Sequence, residues 1–110
     1  MEPKFNLWIE NNGEVVLSIW RVNFLHAIAS SGSLQEAAQE MKIPFNEAQE
    51  KLLEMERGLG FKLMTSTKGE LEKTETHLTA EAEEILKKFG EFSAGFEAEV
   101  IERFNKSFRA

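Results

Sequence analysis

Gly32-Ser33-Leu34-Gln35-Glu36-Ala37-Ala38-Gln39-Glu40-Met41, followed by Lys42-Ile43-Pro44-Phe45, is the stretch that decides the fold of this chain. Ser33-x-x-Glu36 is a capping box, in which the hydroxyl and the carboxylate satisfy reciprocal backbone donors at a helix start. The pattern predicts a short helix over Leu34 to Met41. Lys42-Ile43-Pro44 then predicts a tight break, because Pro44 disfavours helical geometry at Ile43 and is tolerated in the first turn of the next helix. That next helix is expected over Phe45 to Arg57, with Phe45, Ala48, Leu52 and Met55 inward and Gly58 or Gly60 ending it. A short helix and a longer one joined by a turn of three or four residues form a helix-turn-helix.

Upstream, Lys4 to Glu10 alternates with Phe5, Leu7 and Ile9 on one face, the period of a half-buried strand. Asn11-Asn12-Gly13 is a turn signal, and Glu14 to Leu17 supplies the returning strand. From Ser18 the period becomes helical, with Trp20, Phe24, Leu25 and Ile28 aligned, until Ser30-Ser31-Gly32 stops it. Downstream, Phe61 to Met64 suggests a strand, Lys68-Gly69-Glu70 a turn and Leu71 to Leu78 the return. A hairpin directly after a helix-turn-helix is a wing. Thr79 can cap a final helix, with Glu81, Glu83 and Glu84 complementing its dipole, running to about Phe104. The fold class expected is mainly α with small β-hairpins (α+β). Residues 1–79 form a winged helix-turn-helix with an N-terminal hairpin, and residues 80–110 a long C-terminal linker and dimerisation helix.

The totals bound the function. At 110 residues with 42% hydrophobic content, the chain is one domain with one core. The absence of cysteine excludes disulfides and thiolate metal sites. Met1-Glu2-Pro3-Lys4 lacks the basic and apolar regions of a signal peptide, and no stretch is long enough to span a bilayer, so a cytoplasmic protein is expected. Thirteen Lys and Arg face nineteen Asp and Glu, a net charge of -6. Such a balance lowers the expectation of tight nucleic-acid binding, whose affinity comes largely from phosphate contacts. No nucleophile–base pair, phosphate loop or metal-ligand spacing is present, so neither enzyme activity nor a cofactor is expected. His26 and His77 are too far apart in sequence to suggest a metal site, and Trp8 and Trp20 read as core or dimer contacts.

The stretch from Gly32 to Met41 resembles the winged-helix N-terminal domain of the ModE family, the molybdate-responsive regulators, which is related to the DNA-binding domain of LysR-type regulators. The resemblance implies that two helices cross closely at the small pair Ala37-Ala38. It continues through Ala48, Leu52-Leu53-Glu54-Met55-Glu56, Leu59-Gly60, Lys62-Leu63 and Leu78-Thr79. The opening hairpin, with Leu7-Trp8, resembles the ModE type more than the ordinary LysR type. The family's recognition helix opens with an aromatic residue and two basic ones, whereas Phe45 is followed here by Asn46 and Glu47. The wing approach reads Thr65-Ser66-Thr67-Lys68-Gly69 where the family carries arginines and glycines. The chain ends soon after the winged domain, so no molybdate-binding domain and no oxyanion sensing are expected.

The resemblance implies a homodimeric bacterial transcription regulator that binds double-stranded DNA through the second helix of the motif. Asn46, Gln49, Glu50 and Lys51 would face the major groove, with Ser33, Phe45 and Glu47 at the same surface and Lys42 and Lys68 on phosphates. Asn and Gln can read adenine, and Glu can accept from cytosine. Between Ser33 and Thr79, however, six basic residues face nine acidic ones, a balance of -3. A second reading therefore stands beside the first: a winged-helix protein-interaction module that has lost DNA binding.

In the last helix Ala82, Ile85, Phe89, Phe92 and Phe96 are spaced three, four, three, four, a seam that specifies a partner helix. Val100, Phe104 and Phe108 follow in four-residue steps, which drift round the helix. The dimer surface expected is Ile85, Phe89, Phe92, Phe96, Val100 and Phe104, the alternative being a helix folded back on its own domain. Gly90 and Gly95 cost about 1 kcal/mol each in a helix interior and allow a close approach or a bend.

Overall fold

Trp8–Asn11 (β1) pairs antiparallel with Glu14–Ser18 (β2), in a computed structural model that describes residues 1–68 and 74–109, the side chains of residues 67, 68 and 74 excepted. There follow Ile19–Ser31 (α1), Leu34–Glu40 (α2), Phe45–Leu59 (α3), Met64–Lys68 (β3), Thr74–Leu78 (β4), Ala80–Ser93 (α4) and Phe96–Phe108 (α5). β3 and β4 form a second antiparallel ladder, from Met64↔Leu78 to Lys68↔Thr74. The architecture is the expected α+β winged helix-turn-helix, with two small hairpins flanking three helices.

The main core lies where α1, α2 and α3 meet. Phe24, Leu25, Ile28, Met55 and Leu63 are fully buried, each side chain contributing about 1.5–3 kcal/mol by leaving water. Ala37 and Ala38 are buried in the same cluster as Ala48 and Leu52 of α3, so small side chains do let the two helices approach closely. A second cluster joins Leu17, Val22 and Phe89, with Leu7, Ile9, Ile19 and Ile85 against it. It fixes the first hairpin and α4 to the outer side of α1.

Several boundaries differ from the expected ones, each for a local reason. The first strand begins at Trp8, not Lys4, because its partner ends at Ser18, whose hydroxyl accepts from the Arg21 N–H and starts α1. Phe5 is left exposed. The register slips between Ile9 and Glu10, a bulge at Val16. The capping box is half formed: the Ser33 hydroxyl accepts from the Glu36 N–H at 3.1 Å, but the Ser33 N–H is directed to the Ser31 hydroxyl. α3 runs two residues past Arg57, and Gly60 caps it. Phe45, expected inward, is exposed, since the first buried position of α3 is Ala48.

The third strand starts at Met64, not Phe61. The preceding residues are held by side chains instead of a ladder, with the Leu63 N–H donating to Glu56 and the Lys62 carbonyl accepting from Thr79. The returning strand is described from Thr74; the Gly69-Glu70 turn and the start of the return expected at Leu71 lie outside the described residues.

The largest correction concerns the C-terminal helix. It is two helices, broken at Ala94-Gly95, where Gly95 takes φ 84°. Glycine is the residue that enters this left-handed region without a Cβ penalty. Beyond the break α5 projects: the radius of gyration is 16.6 Å, against about 13 Å for a compact chain of this length.

Candidate nucleic-acid interface

The turn between α2 and α3 is built by backbone geometry. Met41 closes α2, Lys42 adopts φ 61°, and the Ile43 N–H returns to the Ala38 carbonyl at 3.0 Å. A left-handed residue reverses the chain within one step, so α3 leaves at an angle and Pro44 starts it without needing an N–H. Lys42 is exposed at the corner.

α3 divides into two faces. Ala48, Leu52 and Met55 are buried, while Phe45, Asn46, Glu47, Gln49, Glu50, Leu53, Glu54 and Arg57 are exposed. Asn46, Gln49, Glu50 and Leu53, at steps of three, one and three, lie on one stripe. They line a groove of about 500 Å³ whose other walls include Leu34, Glu56, Lys62 and Met64. The groove thus runs between α3 and the base of the wing. Leu53 was not among the residues anticipated at this surface. Its exposure of 56% follows from Leu52, which occupies the buried stripe at 5% and leaves its neighbour to point away.

The other anticipated residues fall as follows. Ser33 is half-buried, its hydroxyl engaged in capping α2. Lys51 is half-buried, with its ammonium 3.7 Å from Glu54. The side chain of Lys68 lies outside the described residues. His77 is exposed, 3.6 Å from Glu75, and His26 is exposed on α1. Trp20, half-buried, packs against the core and stacks on Phe24 at 5.4 Å, while Trp8 is half exposed.

The charge on α3 is less negative than its four glutamates suggest. Glu54 faces Arg21 and Lys51, each at 3.7 Å, and Arg21 also donates to the Val15 carbonyl at 2.7 Å. Glu56, with its side chain 10% exposed, accepts from the Leu63 N–H at 2.8 Å and lies 3.8 Å from Lys62. Among the described residues, Glu47 and Glu50 have no ion-pair partner, and neither do Lys42 and Arg57. Among the described residues, the turn and the outward face of α3 together thus carry two cations and two carboxylates without an ion-pair partner.

The wing is anchored at its base. The Thr79 hydroxyl donates to the Lys62 carbonyl at 2.7 Å and accepts from the Ala82 N–H, while the Thr79 N–H donates to the Leu63 carbonyl. The Thr76 N–H donates to the Gly32 carbonyl at 3.0 Å, tying β4 to the start of the helix-turn-helix.

At the C-terminal end, the anticipated dimer seam splits. Phe89, 6% exposed, is a buried member of the domain's second cluster, contrary to its expected place at a partner surface, and Ile85 packs half-buried against that cluster. Phe92 meets Phe96 edge-on at 5.4 Å across the break. Phe96, Val100 and Phe104 are half-buried and Phe108 is exposed, with Phe104 and Phe108 stacked at 5.1 Å. Arg109 lies over the Phe104 ring and donates to the Met1 carbonyl at 3.4 Å. No residue of α5 is fully buried.

No protein-family model matches the chain, and no curated protein does either. Solved structures do. The DNA-binding domain of CbnR, in complex with DNA, superposes with a TM-score of 0.51 at 20% identity, over 66% of this chain and 79% of that one. The BenM DNA-binding domain, in complex with benA site 1 DNA, gives 0.54 at 17% identity, over 74% of this chain and 86% of that one. At such identities the likeness establishes architecture. The chain has the winged-helix fold of LysR-type DNA-binding domains.

Proposed function

We propose that this protein is a DNA-binding transcription regulator of the ModE/LysR winged-helix type, acting in the cytoplasm of a bacterial cell and engaging duplex DNA as a homodimer. The observation that carries the reading is the bend at Lys42, which turns one whole face of α3 outward beside the wing. A helix so presented fits the major groove. Lys42 and Arg57 lie toward its two ends, and among the described residues neither has an ion-pair partner, which suits both to phosphates. Glu54 and Glu56 are already neutralised within the chain, which lowers the repulsion that phosphates would meet.

Pairing is supported by α5. A helix of thirteen residues with none buried is marginal by itself in water. Phe92 and Phe108, exposed at 54% and 67%, flank an apolar face of the kind that marks an interaction surface. A two-fold partner would cover it and set the spacing between two recognition helices.

Fluorescence anisotropy of the full chain with mixed-sequence duplex, at low and moderate salt, tests the reading. Salt-sensitive binding that weakens in Lys42→Glu and Lys51→Glu is expected. A folded protein that leaves the duplex free at low salt would overturn it. The second reading, an interaction module without DNA contacts, is favoured by one observation: among the described residues, Glu47 and Glu50 on the outward face have no ion-pair partner.

A further inference from the structure

Asn46, Gln49, Glu50 and Leu53 form a single stripe along one groove; none of the four is cationic, and Lys62, the cation that shares the groove, lies 3.8 Å from Glu56. This juxtaposition is selective, because the bases offer different partners in the major groove. Guanine presents two acceptors and is met by Arg or Lys, whereas adenine presents an acceptor and a donor that match the amide of Asn or Gln. Cytosine presents a donor that a carboxylate accepts, and thymine presents a methyl group that an apolar side chain covers. Of the cations of α3, Lys51 lies 3.7 Å from Glu54, and Arg57 shares a flanking hollow with Lys51, Glu54 and the stripe residues Glu50 and Leu53.

Resting on the DNA-binding reading, we propose that this stripe selects a half-site of adenine and thymine around a single cytosine, with guanine disfavoured in the place of that cytosine. Asn46 and Gln49 take adenines through their amides. Glu50 accepts from the exocyclic amine of the cytosine, and its charge repels the O6 and N7 acceptors of a guanine in that place. Leu53, with 56% of its surface uncovered, packs on a thymine methyl. From Asn46 to Leu53 the helix rises about 10 Å, the length of three base-pair steps, so the four side chains address neighbouring pairs.

Selection of bound duplexes from a randomised library, using the full chain at low salt, tests this directly. Enriched sites should be A·T-rich with one fixed C·G pair, and replacing that cytosine by guanine should weaken binding about 5- to 150-fold. Glu50→Gln should relax the preference at that pair alone. Replacing thymine by deoxyuridine, which removes only the methyl, should weaken the parent protein and leave Leu53→Ala unaffected. Enrichment of guanine in the cytosine's place, binding without base preference, or equal sensitivity of Leu53→Ala to deoxyuridine would overturn the stripe's role while leaving DNA binding intact. Absence of any duplex binding at low salt would overturn both.

Discussion

The carboxylate of Glu56, in the last turns of α3, accepts the backbone N–H of Leu63 at 2.8 Å, seven residues on. One side chain thereby ties the end of α3 to the base of the wing. Its second oxygen lies 3.8 Å from Lys62, and Thr79 holds the Lys62 carbonyl from the other side.

Removing that acceptor leaves a backbone donor beside fully buried Leu63 without its partner. Glu56→Ala should cost about 1–3 kcal/mol, the usual penalty for an orphaned buried group. Glu56→Gln keeps an oxygen at the same place and should cost less. Urea denaturation of the three proteins checks the order, and equal midpoints would refute the anchoring role.

Val16, the bulged residue of β2, packs against Gly58 so closely that a Cβ at 58 would lie 2.8 Å from its Cγ1. Valine is stiff about χ1 and cannot easily swing away. Gly58→Ala should therefore destabilise the fold despite gaining about 1 kcal/mol of helix propensity, because overpacking costs about 1–3 kcal/mol. In Val16→Ala the clash is gone, and the same Gly58→Ala change should stabilise. A double-mutant cycle showing additive effects would be inconsistent with this contact.

Lys42 allows the fold to be tested apart from the proposed DNA contact. Its left-handed backbone costs an L-residue about 1–2 kcal/mol that glycine does not incur. Lys42→Gly should raise the unfolding midpoint slightly while weakening duplex binding. It should also reduce the slope of log affinity against log salt by about 0.9, the value of one phosphate contact. An unchanged salt slope would remove Lys42 from the interface.

The apolar face of α4 and α5 predicts an assembly change. Phe92→Asp together with Phe108→Asp should yield monomers in sedimentation velocity with the far-ultraviolet signal of α1 to α3 retained. Phe89→Asp, at a buried position, should instead unfold the second cluster. A double variant that sediments as the parent does would sink the pairing surface.

Gly95→Ala probes the break. With φ at 84° an alanine there is strained by about 1–2 kcal/mol. The strain should be relieved by straightening α4 and α5 into one helix, read as increased helicity by circular dichroism and an altered sedimentation coefficient. Unchanged values in both would mean that the bend does not depend on the glycine.

How much of this could be read along the chain depended on the range of the interaction. The capping hydroxyls of Ser33 and Thr79, the turn before Pro44, and the buried stripe of Ala48, Leu52 and Met55 act within a few residues, and their spacing was legible. Phe45 shared that periodicity yet lies exposed, because a stripe continues only as far as something covers it. The seam from Ala82 to Phe96 looked continuous for the same reason, and Gly95 divides it.

Local patterning determined the order of elements, the helix-turn-helix and the wing, since helix periods, caps and turn residues are set by steric and hydrogen-bonding demands on neighbours. Only the tertiary structure decided which glutamates are neutralised, that Leu53 opens into the groove beside the wing, and that Phe89 is consumed by the domain itself. Those outcomes depend on residues distant in sequence, such as Arg21 beside Glu54 or Leu17 beside Phe89. The physical reason is that packing and charge pairing are fixed by what arrives from elsewhere in the chain, which no local period encodes.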